Sequence, residues 1–225
     1  MARKQIVVIG LGRFGSSVAR ALYQMGHDVL AVDREEPRVQ ELMGLITYPV
    51  CADATNEAVL RELGVPNFDS AVVAIGSNIQ ASIMSTVLLK GFGIPHVTAR
   101  AQNQLHGQTL ERLGANRIVH PEEEMGARLG RGLLSPGILE YMELAGNFGI
   151  CKMNVPPHIS NHTLKEAGLT GARDKYGLAV LAIRRDKDLI LLPSEEERLK
   201  ADDTLILASK DDLLETLLTD KDSLA

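Results

Sequence analysis

The chain has 225 residues and a formal net charge of −5, with 45% hydrophobic and 24% charged side chains. That length admits one full domain and a small second one. The acidic balance, with no long basic stripe, argues against nucleic acid as a partner. The two cysteines, Cys51 and Cys151, fit no metal-ligand or CxxC spacing and are expected as buried, reduced thiols of a cytosolic protein. No apolar run approaches the roughly 20 residues that cross a bilayer. The apolar N-terminal stretch is too short for a signal peptide and is broken by glycines and Arg13. A cytoplasmic chain that inserts no segment into a membrane is expected, peripheral to one only through a partner.

A β-branched strand, Ile6–Ile9, runs into Gly10-Leu11-Gly12-Arg13-Phe14-Gly15, and helical spacing continues over Phe14–Met25. A second strand, Asp28–Val32, ends on Asp33, roughly 20 residues after the glycines, as a dinucleotide fingerprint requires. Gly10 allows the tight turn, Gly12 lets backbone N–H groups approach a phosphate, and Gly15 lets the helix pack close to the sheet. The helix N-terminus supplies an anion site, and Asp33 is placed to accept hydrogen bonds from ribose hydroxyls.

Strand patterns follow at Thr47–Val50, Ala71–Ile75, His96–Ala99 and Arg117–Val119, alternating with helical patterns at Glu57–Leu63, Ile79–Lys90 and Gln104–Leu113. Alternation of this kind predicts an α/β fold with a doubly wound, parallel, six-stranded Rossmann-like sheet in the order 3-2-1-4-5-6. Its ligand crevice lies between strands 1 and 4, where Gly76-Ser77-Asn78 follow the fourth strand. Residues 1–120 are therefore expected as a nucleotide-binding domain, and 121–148 as a connector of two helices. The connector's apolar side chains, among them Met125, Leu129, Leu133, Leu139 and Met142, exceed what so short a segment buries alone and predict an intersubunit contact. Residues 149–225 read as a small α+β lobe. Its expected strands are Val155-Pro156-Pro157, Leu178–Arg184, Leu189–Leu192 and Thr204–Ala208, and its expected helices Thr163–Gly168 and Asp211–Leu218.

No His/Asp or Tyr/Lys constellation suggests a hydride acceptor site, and no catalytic residue is assigned. His158 and His162 lie four apart in a loop pattern without further ligands. His120, before Pro121 and a carboxylate cluster, stands out most among the histidines. The nucleotide reads as bound but not consumed, which points to a sensor.

GLGRFG, the strand ending AVD, Cys51-Ala52-Asp53-Ala54-Thr55, Ala74–Ser82, Arg100-Ala101-Gln102-Asn103 and His120–Gly126 follow one another in order. Together they resemble the RCK (KTN) domains that regulate potassium conductance, of the KtrA/TrkA type, and the resemblance extends through the C-terminal (TrkA-C) lobe. It implies a cytosolic gating subunit whose homodimers build an octameric ring beneath a membrane-embedded potassium-translocating subunit. ATP would favour the conducting state and ADP the resting one. Carried over by position, Arg13 would reach the terminal phosphates, Asp33 the ribose and Asp53-Ala54 the adenine pocket. Arg100 would lie near the phosphates, and Glu122 would hold a cation (Mg²⁺, Ca²⁺ or Na⁺) with ATP. Some relatives bind cyclic di-AMP in the C-terminal lobe; the corresponding segment here, Ala172–Gly177, carries an insertion relative to their pattern. An NAD(H)-responsive regulator and a small NAD-dependent oxidoreductase are the alternatives. Arg13 weighs towards ATP, because in mid-loop it would compete for the space a dinucleotide crosses.

Overall fold

The computed structural model describes residues 2–134, 137–146, 148–170, 178–210, 213–214 and 217–218. They form two compact units, divided after Glu122.

In the first unit, β1 (Gln5–Ile9) and β2 (Asp28–Asp33) are buried along nearly their whole length, which requires cover on both faces. Val7 and Ile9 enter one core with Leu60, Leu89 and Leu110. Val8 enters the opposite core with Ala19, Val39 and Leu42. The remaining strands are β3 (Tyr48–Cys51), β4 (Ser70–Val73), β5 (His96–Arg100) and β6 (Arg117–Val119). All pair in parallel in the order β3-β2-β1-β4-β5-β6. This is the doubly wound sheet expected from the sequence. The chain works outward from β1 to β3 and then returns to β4 on the other side of β1. The connections at the carboxyl ends of β1 and β4 therefore diverge and leave a crevice.

The helices are α1 (Arg13–Gln24), α2 (Glu36–Gln40), α3 (Glu57–Glu62), α4 (Ile79–Gly91) and α5 (Gln104–Arg112). Asn56, Asn78 and Asn103 cap α3, α4 and α5 through their side chains, which fixes where each βα loop ends. Only α2, too short to show periodicity, was not anticipated.

The chain passes into the second unit through α6 (Pro121–Leu134). There β7 (Ile138–Ala145), β8 (Phe148–Asn154), β9 (Ala179–Arg185), β10 (Asp188–Leu191) and β11 (Thr204–Lys210) form an antiparallel sheet in the order β10-β9-β11-β8-β7. Several expectations are corrected here. The second connector helix is instead the edge strand β7, paired with β8 from Ile138↔Met153 to Ala145↔Phe148, with a register irregularity near each end. Its apolar residues suit helical spacing as well as strand spacing, and pairing with β8 decides between them. Val155-Pro156-Pro157 is not a strand, since proline donates nothing to a ladder; a 3₁₀ turn forms at Pro157–Ile159. Thr163–Gly168 is one turn and not a helix. Its reciprocal box is intact, Thr163 N–H donating to Glu166 Oε2 at 2.8 Å and Glu166 N–H to Thr163 Oγ1 at 3.1 Å. Gly168, with φ +68°, ends it. Of the expected terminal helix, Leu213, Leu214, Leu217 and Leu218 are helical and join the core of this lobe. The segment Ala172–Gly177 lies outside the described residues.

One polar cluster ties the lobe together. Arg185 forks onto Asp203, Nε to Oδ1 at 2.9 Å and Nη2 to Oδ2 at 2.8 Å, and Nη1 donates to Glu197 at 3.0 Å. The Asp203 side chain is 1% exposed, and Lys200 N–H completes its shell. Burial alone would raise its pKa; the Arg185 hydrogen bonds and the Lys200 N–H outweigh burial and hold it below 3.8. A depressed folded-state pKa contributes stability above the unfolded value and loses it as pH falls. Asp203→Ala should therefore cost about 2 kcal/mol at pH 7, because it removes the forked half of the Arg185 pairing and leaves the guanidinium with Glu197 as its one carboxylate among the described contacts. In the parent chain the same contribution should fade only as acid unfolding is followed below pH 3.8.

Cys151 is buried, as expected, and burial pushes its thiol up to about 12. Cys51 is exposed at the end of β3, contrary to expectation, because the edge position of β3 leaves that side chain uncovered. Its thiol is also raised, first by the hydrogen bond with Glu36. Ellman titration should label Cys51 slowly in the native protein and Cys51→Ser not at all, with Cys151 reacting only in denaturant.

Candidate functional site

The glycine loop is shaped by three different constraints. Gly10 has φ +92°, and its N–H donates to Val32 O at 2.8 Å, turning the chain sharply off β1. A Cβ on Gly15 would stand 1.8 Å from Gly10 O, so only glycine lets α1 start this close to the loop. Gly12 differs: at φ −66° and ψ −176° its backbone suits any residue, and a Cβ there would meet nothing within 4 Å. Folding does not require glycine at this position; open space beside the loop does. No side chain caps α1, and its first turn holds no acid, so the positive end of the helix is left for an external anion.

Asp33 is 6% exposed and holds this loop in place. Its Oδ2 accepts from Leu11 N–H at 2.6 Å and from Arg38 Nη1 at 3.3 Å, and its Oδ1 accepts from Glu35 N–H at 2.9 Å. Each carboxylate oxygen offers about two acceptor sites, so Oδ1 keeps one for a hydroxyl.

Beyond Asp33 opens a cleft of about 630 Å³. Gly10, Gly12, Asp33, Asp53, Ala54, Gly76, Ser77, Asn78, Arg100 and Glu122 all line it. Asp53 Oδ1 accepts from the N–H and hydroxyl of Thr55 at 2.9 and 2.8 Å, which holds the Asp53 carboxyl below its ordinary range. Ser85, buried on α4, donates to Ala54 O at 3.2 Å and pins the same wall from behind. Arg100, at the end of β5, extends across Gly76, where a Cβ would fall 1.8 Å from its Nη1. Arg100 Nη2 pairs with Glu122 in the first turn of α6.

Three expected site residues do not line the cleft. Gly15 acts through packing, and Phe14 is half-buried on α1. Arg13 is exposed and borders a separate depression along α1 with Ser16, Ser17 and Arg20. Its position one residue into the helix turns the side chain along α1, away from the cleft. Conversely, Arg34, Arg38, Thr55 and Gln102 line the cleft without having been singled out. For Arg34 a signal existed, since a basic residue directly after the strand-end acid falls on the ribose side of such a fold; Arg38, further on in α2, carried none.

His120 lies beside buried His106, whose Nδ1 accepts from Gln102 N–H at 3.2 Å. Burial, and then His120, push His106 below its ordinary value. Neither ring lines the cleft. Among the described residues no group of three or more His, Cys, Asp and Glu is placed to hold a metal, His158 and His162 included.

Residues 6–121 match the TrkA-N domain model and 152–219 the TrkA-C domain model. Ktr system potassium uptake protein A of Bacillus subtilis (strain 168) is 40% identical over 204 residues, 91% of this chain and 90% of that protein. The chain belongs to the TrkA family of potassium uptake proteins. A second family member, Ktr system potassium uptake protein A of Vibrio alginolyticus, is 33% identical over 94% of each chain. The crystal structure of the GsuK RCK domain shares the fold, with a TM-score of 0.65 at 21% identity over 97% of this chain and 48% of that one. As in that family, the nucleotide-binding type of fold and the small C-terminal lobe occur in one chain. No helix among the described residues is long and apolar enough to cross a membrane.

The contrast between Gly12 and Gly15 gives a direct test of the cleft. Gly12→Ala should keep the thermal midpoint within about 2 °C of the parent yet weaken adenine-nucleotide binding about tenfold or more, by filling the space a phosphate needs. Gly15→Ala should lower the midpoint itself. Differential scanning fluorimetry beside calorimetric titration separates the two effects.

Proposed function

We propose that the chain is a cytosolic, non-enzymatic gating subunit of a Trk/Ktr-type potassium uptake system that binds ATP or ADP in the crevice between β1 and β4. The observation carrying this reading is the open, uncapped glycine loop at the switch point of a chain so closely related to Ktr potassium uptake proteins. The residues present suit the ligand. Gly12 and the start of α1 would hold phosphates, Asp33 the ribose, and the Asp53–Ala54 wall the adenine. Arg100 would meet the more distal phosphates. What the nucleotide supplies is charge: an additional terminal phosphate changes which basic groups the site can engage.

Glu122 offers one carboxylate to a cation, and among the described residues no protein cluster completes its coordination. The remaining ligands of Mg²⁺, Ca²⁺ or Na⁺ would come from phosphate oxygens, or from a second copy. Assembly into dimers and an octameric ring would cover the exposed apolar side chains of α6 and β7, namely Met125, Leu129, Leu133, Leu139, Met142 and Leu144. Through that ring the chain would attach to the inner face of the membrane by way of the translocating subunit.

One observation favours a second reading. Arg13 lies outside the cleft, so it does not obstruct the path a dinucleotide would take. An NAD(H)-responsive subunit of the same kind of transporter is therefore the competing proposal.

Calorimetric titration of the purified protein with ATP, ADP, NADH and NAD⁺, with and without Mg²⁺, separates them. The ATP/ADP reading expects both adenine nucleotides to bind, with a Mg²⁺ effect confined to ATP and lost in Glu122→Gln. Preference for NADH, indifferent to Mg²⁺, would replace it with the redox reading. Potassium flux through co-reconstituted translocating subunit should then rise with the preferred nucleotide.

A further inference from the structure

We propose that Glu122 is an internal competitor for the anion-binding guanidinium of Arg100, so that a ligand whose phosphates reach that guanidinium binds only by displacing the carboxylate. This inference rests on the nucleotide reading above and adds to it a competition between Glu122 and the ligand for one side chain.

The two partners are unequally placed. The Arg100 side chain is 20% exposed, confined between the end of β5 and the glycine backbone at Gly76. Its buried Nε finds no hydrogen-bond partner among the described residues. A buried donor left in this state marks a guanidinium with capacity to spare, which a polyphosphate could satisfy. Glu122 is 67% exposed in the first turn of α6, and it occupies the Nη2 edge from the solvent side. A carboxylate in that position resembles the phosphate oxygens the cleft would receive, and it is tethered, hence present at high local concentration.

A ligand whose phosphates stop short of Arg100 leaves this pair untouched and gains nothing from the guanidinium. A ligand that reaches Arg100 must first displace Glu122, so its net gain is the phosphate contact minus the lost ion pair. Short anions, including free inorganic phosphate, are disfavoured because no other contact helps them overcome that loss. A tethered triphosphate, held also by Gly12 and Asp33, can overcome it. Displacement has a second consequence: the carboxylate released is the one at the start of α6. Ligand binding in the cleft thereby changes what holds the first turn of the helix that leads into the second unit.

The role of Glu122 in this scheme is opposed to simple ligand binding, and that makes it testable. In EDTA, so that no divalent cation contributes, ATP and adenosine would be titrated calorimetrically into the parent chain, Glu122→Gln, Arg100→Gln and the double variant. Competition predicts that Glu122→Gln binds ATP roughly three- to tenfold more tightly, as expected for removal of one partly exposed competing ion pair. Adenosine affinity should not change. Arg100→Gln should weaken ATP, and adding Glu122→Gln to it should then have no further effect. Unchanged or weaker ATP binding by Glu122→Gln in EDTA would overturn the proposal while leaving the nucleotide reading in place. An equal gain for adenosine would also overturn it, showing a general effect on the cleft. Failure of the parent chain and of all variants to bind ATP or adenosine would remove both readings together.

Discussion

The hydrogen bond from Leu11 N–H to Asp33 is the constraint on which the rest of the first unit depends. It joins the turn after β1 to the end of β2, and so sets where α1 begins and which way its positive end faces. The bond is buried and charge-assisted, hence stronger than a neutral backbone pair. It also explains why an acid rather than an amide stands there. One carboxylate receives two backbone donors and a guanidinium while retaining acceptor capacity towards the cleft. The same side chain shapes the glycine loop and lines the cleft, so under the proposed nucleotide reading structure and recognition would meet at this position.

That arrangement explains why so much of the first unit could be read from residues. Buried parallel strands are continuous apolar runs, and their boundaries fall where an asparagine caps the next helix, as at Asn56, Asn78 and Asn103. Local chemistry and tertiary demand agree there. In the second unit they diverge. The segment Ile138–Ala145 has no local feature that selects strand over helix; its conformation comes from the ladder with β8, a partner the pattern did not reveal. Thr163 and Glu166 make a reciprocal cap, but the chain after it reaches Gly168 within one turn, so the expected helix does not continue.

The cleft was legible to the same degree and for the same reason. Residues whose backbone must adopt a special shape, such as Gly10, or must leave space, such as Gly12, are visible as motifs. Where a long side chain points is not encoded in its spacing. Arg13 and Arg100 both looked suited to a phosphate, yet Arg13 follows the helix it begins and Arg100 crosses Gly76 into the cleft. The two differ in backbone context alone: one is a helix-start residue, the other a strand-end residue whose side chain leaves the sheet edge towards the switch point. Arg34 and Arg38 reach the cleft because the chain turns back over Asp33 into α2, the one helix of the first unit too short to leave a periodic trace.

A regulator has to convert occupancy into a conformational preference, and a ligand can do so only through contacts that differ between two states. On the proposed reading, contacts to Gly12 and Asp33 would belong to a loop tied on both sides by hydrogen bonds, and would supply affinity and little difference. The pair between Arg100 and Glu122 is another matter. One partner is fixed by β5 and the Gly76 backbone; the other is exposed on a helix whose continuation belongs to a separate compact unit. Of the contacts described around the cleft, this one connects an element that stays with the sheet to one that continues beyond it. On the proposed reading, free energy that a nucleotide delivered there would bias α6, whereas the same free energy delivered at the glycine loop would go into binding alone. On that reading, recognising a phosphate and reporting it would fall to different parts of one cleft.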